Sequence, residues 1–351
     1  MVAQGGRGDA ASLLRMRMIF RTTRSVLVGL WLLAAPTFAQ ESLPVPRERT
    51  LLFVGDVMLS RGVGERMRSE NDWTFPFQQI ADTLAPADLT FGNLECPVSD
   101  RGRNQHHLYS FRADPKVIEG LTRAGFDVMS IANNHIYDWG APALLDTQQR
   151  LRDAGILPVG AGANDLEAHY PVLIDCGGVK LAFLAYVNID PKDSTAAPDK
   201  PGVAWLEPDR VMADVRFARP LADIVIVALH WGVEYATQPQ REQVELARQM
   251  IDAGADLVVG GHPHVVQPLE EYHGRWIAYS LGNFVFDQKA PGTHRGLMLR
   301  VKLTEKQITE VAPIPIKIDK TFQALVAPDE DSEGEAARSS RTSGLTAARA
   351  Q

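Results

Sequence analysis

The sequence predicts an α/β fold with mixed sheets, and three observations carry that reading. Short, continuous apolar runs containing β-branched or aromatic residues recur along the chain. Amphipathic helical patterns separate many of them, and three of these patterns end near a glycine that a further apolar run follows. The 351 residues exceed a typical domain of roughly 100–200 residues, but a single large α/β domain can hold them.

The buried strands are expected at 51–54, 88–91, 127–131, 156–159, 223–229 and 256–259. Phe77, Ile80 and Leu84 fit one helix, and Val117, Ile118 and Leu121 fit a second that starts behind the capping pair Asp114-Pro115. Leu144, Leu145, Gln148 and Leu151 mark a third; Val244, Leu246, Ala247, Met250 and Ile251 mark a fourth. The last three helices end near Gly125, Gly155 and Gly254. Two stretches break the rhythm. Residues 172–175 and 180–187 flank Gly177-Gly178 as a β-hairpin, and residues 270–273 and 276–280 flank Gly274. A strand pair around 296–303 and 308–316 completes the pattern. No linker or internal repeat interrupts residues 40–328, which reads as one domain.

Both ends differ from this core. Arg15, Arg17, Arg21 and Arg24 precede the apolar run Val26 to Ala35, followed by Pro36-Thr37-Phe38-Ala39 with small residues before a cut after Ala39. A basic segment, an apolar stretch of about ten residues and a small-residue site make a cleavable secretory signal at 1–39, too short for the roughly 20 residues of a spanning helix. The expected location is therefore periplasmic or extracellular, with no integral membrane segment after cleavage. Residues 329–351 are polar and nearly free of large apolar side chains, and read as a disordered tail.

The chain carries 43 Asp+Glu against 36 Lys+Arg, a net of −7. The segment 1–39 holds five Arg and one Asp, so its removal leaves −11. That balance argues against nucleic acid as a partner. Two cysteines, Cys96 and Cys176, exclude a disulfide scaffold or a thiolate zinc module and leave one bridge open.

The informative polar residues stand where strands end. Val54 leads into Gly55-Asp56, Phe91 into Gly92-Asn93-Leu94-Glu95, and Ile131 into Ala132-Asn133-Asn134-His135. Leu229 leads into His230, and Val259 into Gly260-Gly261-His262-Pro263-His264. The carboxyl ends of strands in such sheets converge on one crevice. Singly, each has a plainer reading: Gly-Asp is usually a turn, Asn133-Asn134 tolerates left-handed geometry, and one histidine is usually a hydrogen-bonded core residue. His262 and His264 are more specific, because in an extended segment residues two apart point the same way. Together the five ends point to a metal site of carboxylate, amide and imidazole, suited to Mn, Zn or Fe, as one or two ions. Such a site delivers hydroxide near neutral pH. His135 is then placed to donate a proton to the leaving group, with Asp138 one turn on to orient it. His106 and His107 lie in a polar stretch and read as loop residues; His169, His273 and His294 receive no role.

These segments resemble the metallo-dependent phosphatase superfamily, and more closely the CapA family associated with poly-γ-glutamate capsule synthesis. The matching stretches are Gly55-Asp56-Val57-Met58-Leu59-Ser60-Arg61-Gly62, Gly92 to Pro97, Ala132 to Asp138, His230-Trp231-Gly232, Gly261-His262-Pro263-His264 and Ser280 to Phe284, spanning roughly residues 50 to 300. The resemblance implies a four-layer α/β/β/α sandwich. It implies metal ligands at Asp56, Asn134, His230, His262 and His264, and the proton donor at His135. Met58 stands where the superfamily has a histidine and Asn93 where it has a bridging aspartate, so that Glu95 is expected to supply the carboxylate. The implied function is an exported metal-dependent hydrolase of poly-γ-glutamate or a related anionic exopolymer, with Arg61 contacting substrate carboxylates. The resemblance leaves room for contact with membrane-associated capsule-synthesis machinery. A metallophosphoesterase and a non-catalytic polymer-binding or export component are the competing readings.

Overall fold

In the computed structural model, two sheets lie face to face and helices cover their outer sides. The structure describes residues 48–189 and 192–328, all within the unit that begins at Pro46. The signal at 1–39 and the tail at 329–351 lie outside them.

The first sheet has eight strands. Its central Arg49–Val57 strand pairs parallel with Leu89–Leu94, and Val128–Ser130 and Leu157–Val159 follow in parallel register. On the other side Arg295–Thr304 and Gln307–Ile318 run antiparallel, with Ala324–Val326 at the edge. The short Asn283–Val285 strand pairs parallel with the end of Arg49–Val57, bringing Asn283 opposite Asp56. The second sheet has six strands in the order Leu269–Tyr272, Arg275–Ala278, Leu257–Gly261, Ile224–His230, Val179–Val187 and Val172–Cys176. Both hairpins read from Gly177-Gly178 and Gly274 are present.

Three apolar clusters separate the layers. The middle one joins Phe53, Phe91, Val128 and Leu299 of the first sheet to Phe183, Ile226, Leu257 and Ala278 of the second. Phe91 and Phe183 stack across it, with ring centres 5.6 Å apart and planes 8° from parallel, a geometry worth about 1 kcal/mol beyond the area it buries. A second cluster packs Val63, Met67, Val117, Leu121, Leu144 and Leu151, from helices Arg61–Glu70, Val117–Arg123 and Ala141–Asp153, against the first sheet. The third packs Val211, Val215, Ala247 and Met250 of helices Pro208–Ala218 and Arg241–Ala253 against the second sheet. These are the four layers α/β/β/α. The near-continuous burial of Ile224–His230 and Leu257–Gly261 follows from having partners on both faces.

The helix expected over Phe77, Ile80 and Leu84 is not continuous. It is a 3-10 turn, Phe75–Phe77, and a single α turn, Ala81–Leu84. All three apolar residues are buried as expected, but Ile80 N–H bonds the Phe77 carbonyl at 3.1 Å and Thr83 N–H bonds the Ile80 carbonyl at 2.9 Å. Spacing of three serves a 3-10 turn as well as an α-helix, and Pro86 stops the segment before it can lengthen.

Cys96 and Cys176 are free and belong to different core clusters. Burial pushes the Cys96 thiol up to about 12, and its sulfur accepts the Leu59 N–H at 3.4 Å. Cys96 is thus a packed core residue that anchors the loop after Asp56.

Candidate metal centre

Asp56, at the end of the Arg49–Val57 strand, is completely buried. Its Oδ1 accepts from Asn93 Nδ2 at 2.8 Å, and its Oδ2 accepts the His262 backbone N–H at 3.1 Å. His264 Nδ1 lies 3.4 Å from Oδ2, and His230 Nδ1 3.9 Å from Oδ1. Burial alone would raise this carboxyl, but the His264 hydrogen bond, the neighbouring imidazoles and Asn93 outweigh it and bring the pKa down to about 2. Gly261 is required beside it, because a Cβ there would lie 2.5 Å from Asp56 Oδ1.

Glu95 is the opposite case. It is completely buried, and among the described residues neither carboxyl oxygen has a hydrogen-bond partner. His264 Nε2 lies 3.7 Å and His135 Nε2 4.0 Å from its Oε1. Burial, then the nearby charges of Asp56, Glu234 and Asp138, push its pKa well above the ordinary carboxylate range. A buried acid without a donor is costly unless something positive meets it.

His230 ends the Ile224–His230 strand in the second sheet. Its Nε2 donates to Asn134 Oδ1 at 2.9 Å, which leaves Nδ1 to accept from Asn93 Nδ2 at 3.2 Å. Burial, with the His262 charge next, holds His230 well below the usual histidine range. His262 falls to about 3, chiefly through burial and then His264, and its buried Nδ1 has no partner among the described residues. His264 Nδ1 meets Asn283 Oδ1 at 2.9 Å.

His262 and His264 converge on the site, but not through an extended segment. Their φ values are 93° and 58°, both left-handed, in a loop that follows the Leu257–Gly261 strand. Such backbone is strained in non-glycine residues and is held by its surroundings: Asp56 takes the His262 N–H, and Tyr235 N–H bonds the intervening Pro263 carbonyl at 2.8 Å.

These residues fit a divalent transition ion. One donor atom each from Asp56, Glu95 and His230 lie within 4.8 Å of one another. The unpartnered Glu95 oxygens and His262 Nδ1 are the groups a cation would satisfy, and the set is oxygen and imidazole without thiolate. Asn134, His262 and His264 complete the ring of candidates. Asn93, at the bridging-aspartate position, instead connects the site. Its amide nitrogen faces Asp56 and His230, and its oxygen accepts Asn133 Nδ2 at 3.1 Å. Met58 packs in the helix-side core, where its sulfur accepts from the Ser60 backbone at 3.1 Å and the Ser60 hydroxyl at 3.2 Å.

Beside this cluster, His135 Nδ1 donates to Asp138 Oδ2 at 2.9 Å while its Nε2 faces Glu95. Asp138 therefore stands where it can orient His135. The Phe111 ring stacks on His135 with centres 3.9 Å apart, and the Arg61 guanidinium lies 4.6 Å from the centre of the same ring. Arg61 is already ion-paired to Asp287, which also accepts the Gly62 N–H at 3.0 Å.

Sequence reasoning missed several connecting residues. His107 was read as a loop residue, and it is in a loop, but its Nδ1 bonds Asp138 Oδ1 at 2.9 Å. For Asn133 the plainer reading is a turn. It is fully buried, its amide donates to the Leu94 carbonyl at 2.8 Å, and its oxygen caps the His135 and Ile136 N–H groups at 3.1 and 2.9 Å. Asn283 and Asp287 come from a distant part of the chain. Only Asn283 carried a signal, as a member of the Ser280 to Phe284 stretch.

The chain is similar to known proteins in sequence and in fold. The family described as bacterial capsule synthesis protein PGA_cap matches residues 50–288. The PGA biosynthesis protein CapA of Bacillus subtilis (strain 168) is 34% identical over 290 residues, covering 78% of this chain and 75% of that protein. The capsule biosynthesis protein CapA of Bacillus anthracis is 32% identical over 280 residues, covering 77% of this chain and 68% of that protein. A solved structure described as a novel phosphatase from Mycoplasma pneumoniae shares the fold, with a TM-score of 0.51 at 14% identity over 78% of this chain and 95% of that one.

Proposed function

The chain belongs to the bacterial capsule synthesis protein family PGA_cap, and from that membership we propose an exported, metal-dependent hydrolase that processes poly-γ-glutamate or a related anionic exopolymer. The observation that supports hydrolysis most directly is Glu95, a buried carboxyl with both oxygens unpartnered among the described residues, facing His264 and His135 within a histidine cluster. Capsule processing rests on the relatives' names, and export on the segment 1–39, which contains a secretion-signal pattern. Among the described residues, no helix is long and apolar enough to cross a membrane. The membrane-associated capsule-synthesis machinery is the partner this reading expects.

Asp56, Glu95, Asn134, His230, His262 and His264 would hold the ion. A bound divalent cation supplies Lewis acidity, polarising a carbonyl and making a coordinated water nucleophilic near neutral pH. Water adds to the amide carbonyl carbon and the carbon–nitrogen bond breaks. His135, its own proton held on Nδ1, takes a proton from the attacking water at Nε2 and passes it to the departing nitrogen. Asp138, bonded to Nδ1, stabilises the positive ring and holds it in position. Arg61, braced by Asp287 and flanked by Phe111 and Phe286, is the substrate-carboxylate contact in this reading.

Purified protein should be loaded with Mn, Zn or Fe, analysed for bound metal, and assayed on poly-γ-glutamate and on a chromogenic phosphodiester. Cleavage of the polymer with about one or two equivalents of metal is the expected result. Cleavage of the phosphodiester alone would make it a phosphoesterase. Less than one equivalent of any of the three metals would leave a non-catalytic polymer-binding component.

A further inference from the structure

We propose that His107 is a positioning residue for the proton donor, acting on His135 through the carboxylate they share; this rests on the hydrolase reading above. Asp138 is completely buried. Its Oδ2 accepts from His135 Nδ1 at 2.9 Å and from the Phe111 backbone N–H at 2.7 Å, and its Oδ1 accepts from His107 Nδ1 at 2.9 Å. All three bonds converge on one carboxylate that water does not reach.

The arrangement fixes two things. Turning about Cβ–Cγ moves both carboxylate oxygens, so the His107 bond adds a restraint on Oδ1 to the two bonds that hold Oδ2. His107 therefore holds the plane of Asp138 with Oδ2 aimed at His135. Because a carboxylate only accepts, both imidazoles must carry a proton on Nδ1. For His135 that directs Nε2 toward Glu95 and the site. Tautomer control of this kind is how a carboxylate prepares a catalytic imidazole.

The surrounding loop is built on the same point. Gln105 N–H bonds the Asp138 carbonyl at 2.9 Å, and Arg103 N–H bonds the Trp139 carbonyl at 3.1 Å. The Arg112 guanidinium lies 3.6 Å from the centre of the Trp139 ring. The segment from Arg103 to Arg112 is thus fastened to Asp138 and Trp139, and it delivers both His107 to the carboxylate and Phe111 to the face of His135. The His107 side chain is 28% exposed, whereas the Asp138 carboxylate it bonds is fully buried.

The test compares His107→Ala with His107→Asn, whose amide Nδ2 replaces the lost donor. On whichever substrate the wild type cleaves, the alanine variant should lose about tenfold in kcat, the scale of one hydrogen bond to a buried acceptor. KM and bound metal should be unchanged, and asparagine should recover most of the loss. A second readout needs no turnover. Imidazole nitrogen shifts of 15N-labelled protein in zinc-containing buffer should show His135 as the Nδ1–H tautomer in the wild type and the asparagine variant. In the alanine variant they should show a tautomer mixture. An alanine variant with wild-type kcat and an unchanged His135 tautomer overturns the proposal, as does an asparagine variant that folds, by its melting curve, but behaves like a defective alanine variant. If the wild type cleaves nothing, the hydrolase reading fails while the tautomer readout still decides the role of His107.

Discussion

Glu95 Oε1 lies 3.7 Å from His264 Nε2, and no donor among the described residues completes either oxygen of that buried carboxyl. Two strands from different sheets bring these residues together, one following Leu89–Leu94 and the other following Leu257–Gly261. The pair is poised for a cation between or beside its members, and its behaviour without one is the most direct probe of the site.

Glu95→Gln keeps the shape and removes the buried acid. The metal-free variant is expected to melt no lower than the metal-free wild type. An ion at about a hundred times its dissociation constant adds about 2.7 kcal/mol to a folded state that binds it. Zinc should therefore raise the wild-type melting point by several degrees and leave the glutamine variant unmoved. Equal zinc-induced shifts in the two proteins would remove Glu95 from the ligand set.

Metal uptake should release protons. With its pKa pushed well above the usual carboxylate range, Glu95 holds its proton to higher pH than an ordinary carboxyl and must give it up to a cation. His230 and His262, both pulled below the usual histidine range, are already uncharged near neutral pH and release none. Calorimetry in buffers of differing ionisation enthalpy should report more protons released per ion by the wild type than by Glu95→Gln. A wild-type binding enthalpy independent of buffer would contradict this.

Acid should destabilise the metal-free site through its histidines. His262 has its folded pKa at about 3 against an ordinary 6.5, so the unfolded chain binds more protons throughout that interval. Stability is fully present above pH 6.5 and falls as pH drops toward 3; His230 contributes in the same direction. Asp56 extends the trend, since its depressed value of about 2 gives stability that is present above 3.8 and lost as pH falls through 2. Glu95 runs the other way, and Glu95→Gln removes its opposing slope. Denaturant titrations of the chelated glutamine variant between pH 7 and 4 should show a steady loss of stability on acidification; a flat profile would contradict the burial of neutral histidines.

Asp138→Asn keeps the size but removes the charge and one acceptor oxygen. An asparagine cannot accept from both imidazoles, so His135 loses its orientation or His107 loses its anchor. A fall of about 10²-fold in kcat with metal content retained is expected. Loss of metal in this variant would instead make Asp138 part of the ion's support.

Gly261→Ala tests the packing that seats Asp56. The added methyl would come within 2.5 Å of Asp56 Oδ1, and Asp56 has no exposed space to move into. A cost of about 1–3 kcal/mol is expected from such overpacking, together with weakened zinc binding. Unchanged zinc affinity would show that Asp56 can shift without harm to the site.

The sequence by itself determined the layers and most of the cluster. Continuous apolar runs such as 223–229 and 256–259 mark strands buried on both faces, and their polar last residues fall at the carboxyl ends because side chains there leave the core and meet the crevice. Asp56, Glu95, His230, His262 and His264 were legible for that reason. Tertiary structure alone decided how they connect. The His262-Pro263-His264 loop converges through left-handed backbone rather than extended alternation, Asn283 reaches His264 from a neighbouring strand, and His107 finds Asp138 across 31 residues of chain. A polar residue in a loop has no periodicity to reveal its partner, since nothing in local spacing constrains where a loop side chain ends; that is set by which carboxylate the packed core leaves within reach.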